Sequence, residues 1–461
     1  MKSRGSAFVT NTTRPWVDDS TVALFTDLYE LTMMQAYHAE GMTDEAIFSL
    51  FVRRLPRTRN YLLACGIGAA VDYLERLCFS DQDIDCIASL GQFNDDFLSW
   101  LRSFRFTGTV RAVAEGMPVF ANEPILEIRA PIAEAQVVET FVMNQINVAT
   151  ILATKASRMV VAAEGRPVVD FAPRRMHGTD AAIKGAHAFA VAGIQATSNV
   201  LAGMIHGVPV TGTMAHSFIQ AHDSEMDAFR AFNRLYPGTV LLVDTYDTLA
   251  GVRKVVTLAK ELGEAAKVRA IRLDSGDLHA LSVAARKILD EGGLGHVNIF
   301  ASGGLDEHII ADLIARGAPI DGFGVGTSLG VSDDAPGLDI AYKLCAYAGK
   351  GRLKLSKGKP ILPGSKQVFR RIENGRARGD VIARDGESLA GTPLLLPVMK
   401  DGKRIPGALP DLAHAHEHAR KALGQLPEEI RAIRPVRTPY PVTISPALEV
   451  YQAEVARTVC S

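Results

Sequence analysis

Three groups of residues in this chain sit at spacings that suit chemistry on a phosphorylated ligand. A histidine, His216, follows a Gly/Thr turn in VPVTGTMAHSF at 208–218. It is the only group in that stretch whose charge can change near neutral pH. Two carboxylate pairs with the same D-x-x-D spacing occur at Asp244 and Asp247 and at Asp274 and Asp277. Two glycine turns, SGG at Ser302–Gly304 and GVGT ending in Gly326 and Thr327, complete the set. Glycines let backbone N–H groups approach a phosphate, and a helix following SGGLDEH would add its positive N-terminus. Carboxylates opposite a phosphate site suit Mg²⁺ or ribose hydroxyls. Each group has a plainer explanation. Thr213 could cap a helix with His216 in its first turn, and an Asp after a strand is commonly an N-cap.

Position along the chain decides between these explanations. After Gly165, apolar runs recur at 167–171 (PVVDF), 208–210 (VPV), 240–244 (VLLVD), 268–273 (VRAIRL), 297–301 (VNIFA) and 321–325 (DGFGV), roughly 25 to 40 residues apart. Helical patterns such as VAARKIL and HIIADLIARG fill the intervals. Strand and helix alternating in this way predict a parallel α/β architecture, here an eight-strand barrel or a degenerate one. Every run is followed by a small polar cluster: Arg174 and Arg175, then GTMAH, TYD, DSGD, SGG and GT. Barrel chemistry collects at C-terminal strand ends because the loops there share one mouth. Capping explains one or two such ends more easily than six.

Composition narrows the class. The 461 residues suit two domains, and 47% hydrophobic with 22% charged residues is ordinary for a globular enzyme. A formal charge of -1 gives no support for nucleic-acid binding. Five cysteines without a CxxC pair fit a reducing cytoplasm. The N-terminal segment lacks a secretory apolar run. The longest apolar stretch, 188–205, is interrupted by Gln195, Thr197, Ser198 and Asn199, which predicts a core helix rather than a membrane span.

The remaining segments predict the supporting elements. Residues 1–20 read as a flexible arm. A helix follows, with Asp27 and Glu30 at capping-box spacing, an apolar stripe at Leu24, Leu28, Leu31 and Met34, and Tyr29 beside the stripe. Strand 46–52 leads into RRLPRTRN, either a solvated face or a surface for a phosphate-rich ligand. Residues 66–77 and 80–104 read as helical, 106–129 as two or three strands, and 133–147 and 150–164 as helices. Past Pro336, LDIAYKLCAY, RLKLS and KQVFRRI read as strands that pack with 106–129. The domains expected are therefore an N-terminal α/β part at 21–132, a catalytic barrel at 133–336, and a 337–461 part that returns to the first. In the tail, HAHEHA puts only His414 and His418 on one helix face, so a solvated helix is expected there.

Together and in order, TDLYELTM, FVRRLP, NEPILEI, EAQVVET, ATKASR, DFAPRRMHG, TSNVLAG, GTMAHSF, VDTYDT, RLDSGDL, ASGGLDE, GVGTSLG and LSKGKPILPGSKQVFR resemble the nicotinate phosphoribosyltransferase family over roughly residues 20 to 380. The resemblance implies an irregular (β/α) barrel of the type II phosphoribosyltransferase kind with a second, discontinuous β-rich α/β domain. It implies nicotinate and phosphoribosyl pyrophosphate as substrates, Mg²⁺, coupled ATP hydrolysis in NAD salvage, and a homodimer with shared active sites. His216 would be phosphorylated by ATP. The nicotinate ring would lie between Phe171 and the partner subunit's Tyr29, with Arg174 and Ser198 at its carboxylate. Arg272 would touch the pyridine or the phosphates. Asp244 and Asp274 would serve ribose and metal, and Ser302, Gly303, Gly304, Gly326 and Thr327 the 5′-phosphate.

Nicotinamide-specific relatives carry an Asp where this chain has Ser198, and a second carboxylate would repel nicotinate. The alternatives are nicotinamide or quinolinate as substrate, or a phosphosugar lyase or phosphate-ligand binder on the same barrel. An aldolase would want a Lys at a strand end, whereas Lys155 and Lys184 fall on helical segments.

Overall fold

The computed structural model describes residues 17–355 and 361–460; residues 1–16 of the expected arm lie outside them. The chain divides into two compact units. One is Ile151–Pro336 with Arg431–Pro435, and the other takes the residues through Thr150, Gly337–Ile430 and those from Val436 onward.

The first unit is built on six parallel strands. They are β1 (Val168–Asp170), β2 (Ala196–Thr197), β3 (Thr239–Leu242), β4 (Val268–Leu273), β5 (Asn298–Ala301) and β6 (Gly322–Val325). Their order is β2-β1-β6-β5-β4-β3. Parallel neighbours need crossovers, supplied by helices such as Thr179–Ala192, Thr248–Leu262, Leu278–Glu291 and Glu307–Ala315. Leu241, Leu242, Ile271, Leu273, Ile299, Phe323 and Val325 are buried, as strands covered on both faces require.

Two expectations change here. β2 is two residues long and carries no apolar run, so periodicity does not find it. Val208–Val210 forms no strand: Val210 makes one parallel bridge to Thr197, where Thr197 N donates to Pro209 O and Thr211 N to Thr197 O, both at 3.0 Å. The sheet is thus an irregular barrel rather than a ring of eight strands, and among the described residues no backbone ladder joins the Val210 segment to β3.

The second unit holds an antiparallel sheet of seven strands. Ile340–Tyr347 pairs with Glu45–Val52, which pairs with Pro124–Pro131, so the chain returns after the barrel to a sheet it began before it. A four-stranded sheet, including Lys366–Glu373 and Arg376–Arg384, lies in the same unit.

Several local expectations are corrected. The first long helix begins at Leu28, and the capping box does not form. Asp27 and Glu30 instead accept hydrogen bonds from Thr140 Oγ1, each at 2.6 Å, and burial raises the Glu30 carboxyl to about 7. Residues 80–104 form two helices, Asp81–Ser89 and Asp95–Arg102, each with its own side-chain cap. The helix expected to start at 150 is continuous as Glu139–Ala162. RLKLS is not a strand over its described residues, 352–355. In the arginine loop, Arg53 and Arg54 both pair with Asp339, at 3.2 and 3.1 Å. His414 meets Asp411 and His418 the carbonyl of Glu115, so the two point to different partners. No helix of the described residues is long and apolar enough to cross a membrane.

The helix after β3 packs on the strand through a glycine. A Cβ on Gly251 would lie 2.2 Å from Val243 O, closer than any side chain can sit. Gly251→Ala is expected to cost about 1–3 kcal/mol by forcing helix and strand apart. A lowered denaturant midpoint at unchanged m-value checks this.

Candidate active site

The strand ends of the parallel sheet converge on Arg272, which lies on β4. Its Nε donates to Ser302 Oγ at 2.9 Å, Nη2 to Asp274 Oδ1 at 2.9 Å, and Nη1 to Thr213 Oγ1 at 2.7 Å and Met214 O at 3.3 Å. The guanidinium also lies over the Phe171 ring, 5.6 Å from its centroid. One side chain thus joins residues that follow β1, β4 and β5 to the Val210 segment. Thr213 is therefore not the helix cap. The short helix His216–Gln220 has Ala215 at that position, and the Thr213 hydroxyl serves Arg272.

His216 is half-exposed at the head of that helix. Its Nδ1 is hydrogen-bonded to Thr245 Oγ1 at 3.1 Å, and its Nε2 lies 3.8 Å from Asp274 Oδ2. The contacts from Thr213 and His216 cross the gap that the backbone ladder leaves between the Val210 segment and β3. They also leave one imidazole nitrogen facing a carboxylate rather than consumed by the fold.

The two D-x-x-D pairs divide their labour. The second Asp of each caps the next helix: Asp247 accepts from Ala250 N at 2.7 Å and Asp277 from Ala280 N at 3.1 Å. The first Asp of each faces the site. Asp244 Oδ2 accepts from Asp274 N at 2.9 Å and Ser275 Oγ at 2.7 Å. Its Oδ1 is buried and has no hydrogen-bond partner among the described residues. An unpartnered buried carboxylate oxygen is costly, so this atom fits a cation. Burial alone would raise the Asp274 carboxyl, but the Ser302 hydroxyl and the Arg272 guanidinium outweigh it and hold it below the usual carboxylate range.

Ser302 bonds both Arg272 and Asp274, so it helps fix those groups as well as opening its glycine turn. Gly303 and Gly304 have positive φ, and a Cβ on Gly303 would lie 1.8 Å from Asp274 O. Gly326 and Thr327 open the short helix Thr327–Val331. That helix packs back on the segment after β1, since a Cβ on Gly330 would meet Ala172 and Met176 at 2.7 Å.

Arg174 lies in the turn after β1, exposed and without a hydrogen bond or ion pair among the described residues. Ser198 follows β2, and only its backbone N–H is engaged, donating to Asp170 O at 2.9 Å. Sequence reasoning missed Asp170, the last residue of β1. It is fully buried and accepts from Ala172 N and Thr197 Oγ1, both at 2.7 Å, so it ties the Arg174 turn to the Ser198 turn. The available signal was a carboxylate closing an otherwise apolar run. Tyr29 belongs to the other unit, on the helix Leu28–Ala39, where its ring is exposed.

Solved structures place this architecture among the type II phosphoribosyltransferases. Human nicotinic acid phosphoribosyltransferase superposes with a TM-score of 0.84 at 27% identity, over 93% of this chain and 99% of that one. The nicotinate-nucleotide pyrophosphorylase of Pyrococcus furiosus follows at 0.74 and 25%, over 90% and 99%. Residues 24–147 match the nicotinate phosphoribosyltransferase (NAPRTase) N-terminal domain, and 167–382 the nicotinate phosphoribosyltransferase (NAPRTase) family. Nicotinate phosphoribosyltransferase pncB2 of Mycobacterium tuberculosis is 56% identical over 423 residues, 92% of this chain and 91% of its own. That of Bacillus subtilis is 42% identical over 375 residues, covering 79% and 76%. The chain belongs to the nicotinate phosphoribosyltransferase family.

Gly303→Ala tests the geometry directly. Its Cβ must push the β5 turn off Asp274, and a displacement of about 1 Å at a positioned site costs on the order of 100-fold in rate. A fall of that order in kcat/KM, measured where the variant is still fully folded, is the expected result, together with a lowered unfolding midpoint from the clash and the left-handed φ.

Proposed function

We propose that this chain converts nicotinate, phosphoribosyl pyrophosphate, ATP and water to nicotinate mononucleotide, pyrophosphate, ADP and phosphate, in NAD salvage. Beyond family membership, one observation carries the proposal. Arg272 gathers Phe171, Thr213, Asp274 and Ser302 around a half-exposed His216, at the end of a parallel sheet where such enzymes work.

The roles follow from chemistry. Nicotinate is a flat anion. Phe171 offers it a ring face, and the unpaired Arg174 guanidinium and free Ser198 hydroxyl suit its carboxylate. The partner subunit's Tyr29 would close the other face. Transfer breaks a C–O bond at the anomeric carbon through an oxocarbenium-like state, so the pyrophosphate must leave as a well-held anion. Backbone N–H groups of Ser302–Gly304 and Gly326–Thr327 suit the 5′-phosphate. Asp244 and Asp274 would hold Mg²⁺, which when bound neutralises charge on the leaving group. His216 Nε2, 3.8 Å from Asp274 Oδ2 and without a hydrogen bond among the described residues, is the acceptor for the ATP phosphoryl group. A phosphoryl group there adds charge and strong acceptors next to the Arg272 cluster, a local change able to reorganise the loop.

A homodimer is supported by an apolar helix face. Val200, Leu201, Met204 and Ile205 of Val200–His206 are all exposed, Met204 by 77%, directly after Ser198. Cys65, Cys78, Cys86 and Cys345 are free thiols, which suits a reducing cytoplasm.

The test is pyrophosphate release with nicotinate, nicotinamide and quinolinate in parallel, each with and without ATP. Nicotinate alone should support ATP-stimulated release. His216→Ala should lose ATP hydrolysis and the ATP-driven gain while slow transfer persists; undiminished ATP stimulation would sink the assignment of His216. Ser198→Asp should raise the nicotinate KM roughly tenfold or more, because two carboxylates then share one site. An unchanged KM would count against Ser198 as part of the carboxylate site.

A further inference from the structure

One buried ammonium contacts the segments that follow both glycine turns. Lys155, only 2% exposed, lies on the helix Glu139–Ala162. Its Nζ is 2.7 Å from Glu307 Oε2, 2.8 Å from Asp334 Oδ1 and 3.2 Å from Asp333 Oδ1. Glu307 is fully buried and is the first residue of the helix that follows Ser302–Gly304. Asp333 and Asp334 follow the short helix opened by Gly326 and Thr327, and Asp333 Oδ2 accepts from Ser328 Oγ at 2.8 Å. Arg158, also buried, donates from Nε to Glu307 Oε1 at 2.8 Å and from Nη2 to Ile433 O at 2.7 Å, so Glu307 is held from two sides.

This arrangement is expensive to build. Removing a lysine and a glutamate from water is costly, and well-packed apolar side chains commonly do as well for stability. What apolar packing cannot do is set a separation, since it has no direction. An ammonium within 3.2 Å of three carboxylates, hydrogen-bonded to Asp334, does. Burial alone would lower the Lys155 ammonium, but Glu307 and Asp334 outweigh it and keep it above its usual range, so it stays a cation.

We propose that Lys155 is a positioning residue for phosphate recognition: it fixes the separation of the Ser302–Gly304 and Gly326–Thr327 turns, so that both address one phosphoryl group. This rests on assigning those turns to the 5′-phosphate of phosphoribosyl pyrophosphate. Lys155 touches no substrate, and its effect should fall on one substrate only.

The experiment is steady-state kinetics on the full chain, varying phosphoribosyl pyrophosphate and nicotinate separately. Lys155→Met should raise the KM for phosphoribosyl pyrophosphate about tenfold or more while that for nicotinate stays within about twofold. Lys155→Arg, which keeps the charge, should recover most of the loss. A folded Lys155→Met with the phosphoribosyl pyrophosphate KM unchanged, or with both KM values raised equally, overturns the proposal. Asp333→Asn provides a second arm that strands no buried cation, because Glu307 and Asp334 still pair Lys155. It should give the same selective rise, smaller, at about threefold. An unchanged KM in that variant overturns the proposal whether or not Lys155→Met folds. If wild type releases no pyrophosphate with phosphoribosyl pyrophosphate at all, the parent assignment fails, and this proposal with it. Wild-type turnover with insensitive variants sinks the positioning role alone.

Discussion

The Arg272 guanidinium is the constraint on which the rest of the site depends. It is a planar fork of donors with no acceptor, so drawing it out of water demands acceptors in fixed directions. The chain supplies Ser302 Oγ and Asp274 Oδ1 from two strand ends, and Thr213 Oγ1 and the Met214 carbonyl from the Val210 segment. Those bonds do for the barrel what a backbone ladder would otherwise do. β3 and the Val210 segment are not paired, yet Thr213 is held to β4 and His216 to Thr245 after β3. A barrel closed by side chains rather than by strands leaves its mouth lined with polar atoms, and two of them make no hydrogen bond among the described residues: Asp244 Oδ1, and His216 Nε2, which lies 3.8 Å from Asp274 Oδ2.

The same logic recurs around Lys155. In both places a cation, Lys155 buried and Arg272 12% exposed, gathers oxygens from elements distant in sequence, and in both the elements gathered are those that carry glycine turns. Glycine turns make good phosphate seats because nothing blocks their N–H groups, but for the same reason nothing in the turn itself fixes its position. The turns therefore depend on what holds their ends. Ser302 is tied to Arg272 and Asp274, Gly303 is pressed against the Asp274 backbone, and Glu307 is anchored from Lys155 and Arg158. Asp170 plays a related part on the pyridine side, where its two carboxylate oxygens and its carbonyl set the turns bearing Arg174 and Ser198. The groups proposed to meet substrate are few, and most of the buried polar chemistry in this unit serves to place them.

The sequence by itself determined the parallel α/β rhythm, the discontinuous second unit and the motif order that marks the family. Each of these is carried by local pattern: a run of apolar residues buried on both faces looks the same wherever the sheet puts it. It also placed five of the six polar clusters at strand ends; the sixth, GTMAH, follows a segment that makes only a bridge. By residue type and spacing alone it did not separate the Asp of each D-x-x-D pair that caps a helix from the one that faces the site; only the family resemblance singled out Asp244 and Asp274, and Asp247 and Asp277 are the caps. It could not show that Val208–Val210 would contribute a bridge instead of a strand, that Thr213 would serve Arg272 59 residues away, or that Asp27 and Glu30 would bind Thr140 in preference to their own helix. Asp170 and Lys155 were invisible for the same reason. Their partners are donors and carboxylates brought near only when distant segments pack, and the free energy of pairing a buried charge exists only once water has been excluded. Residue types at the site were thus a property of the sequence, while their division into helix caps, supports and groups left facing the site was decided by tertiary packing.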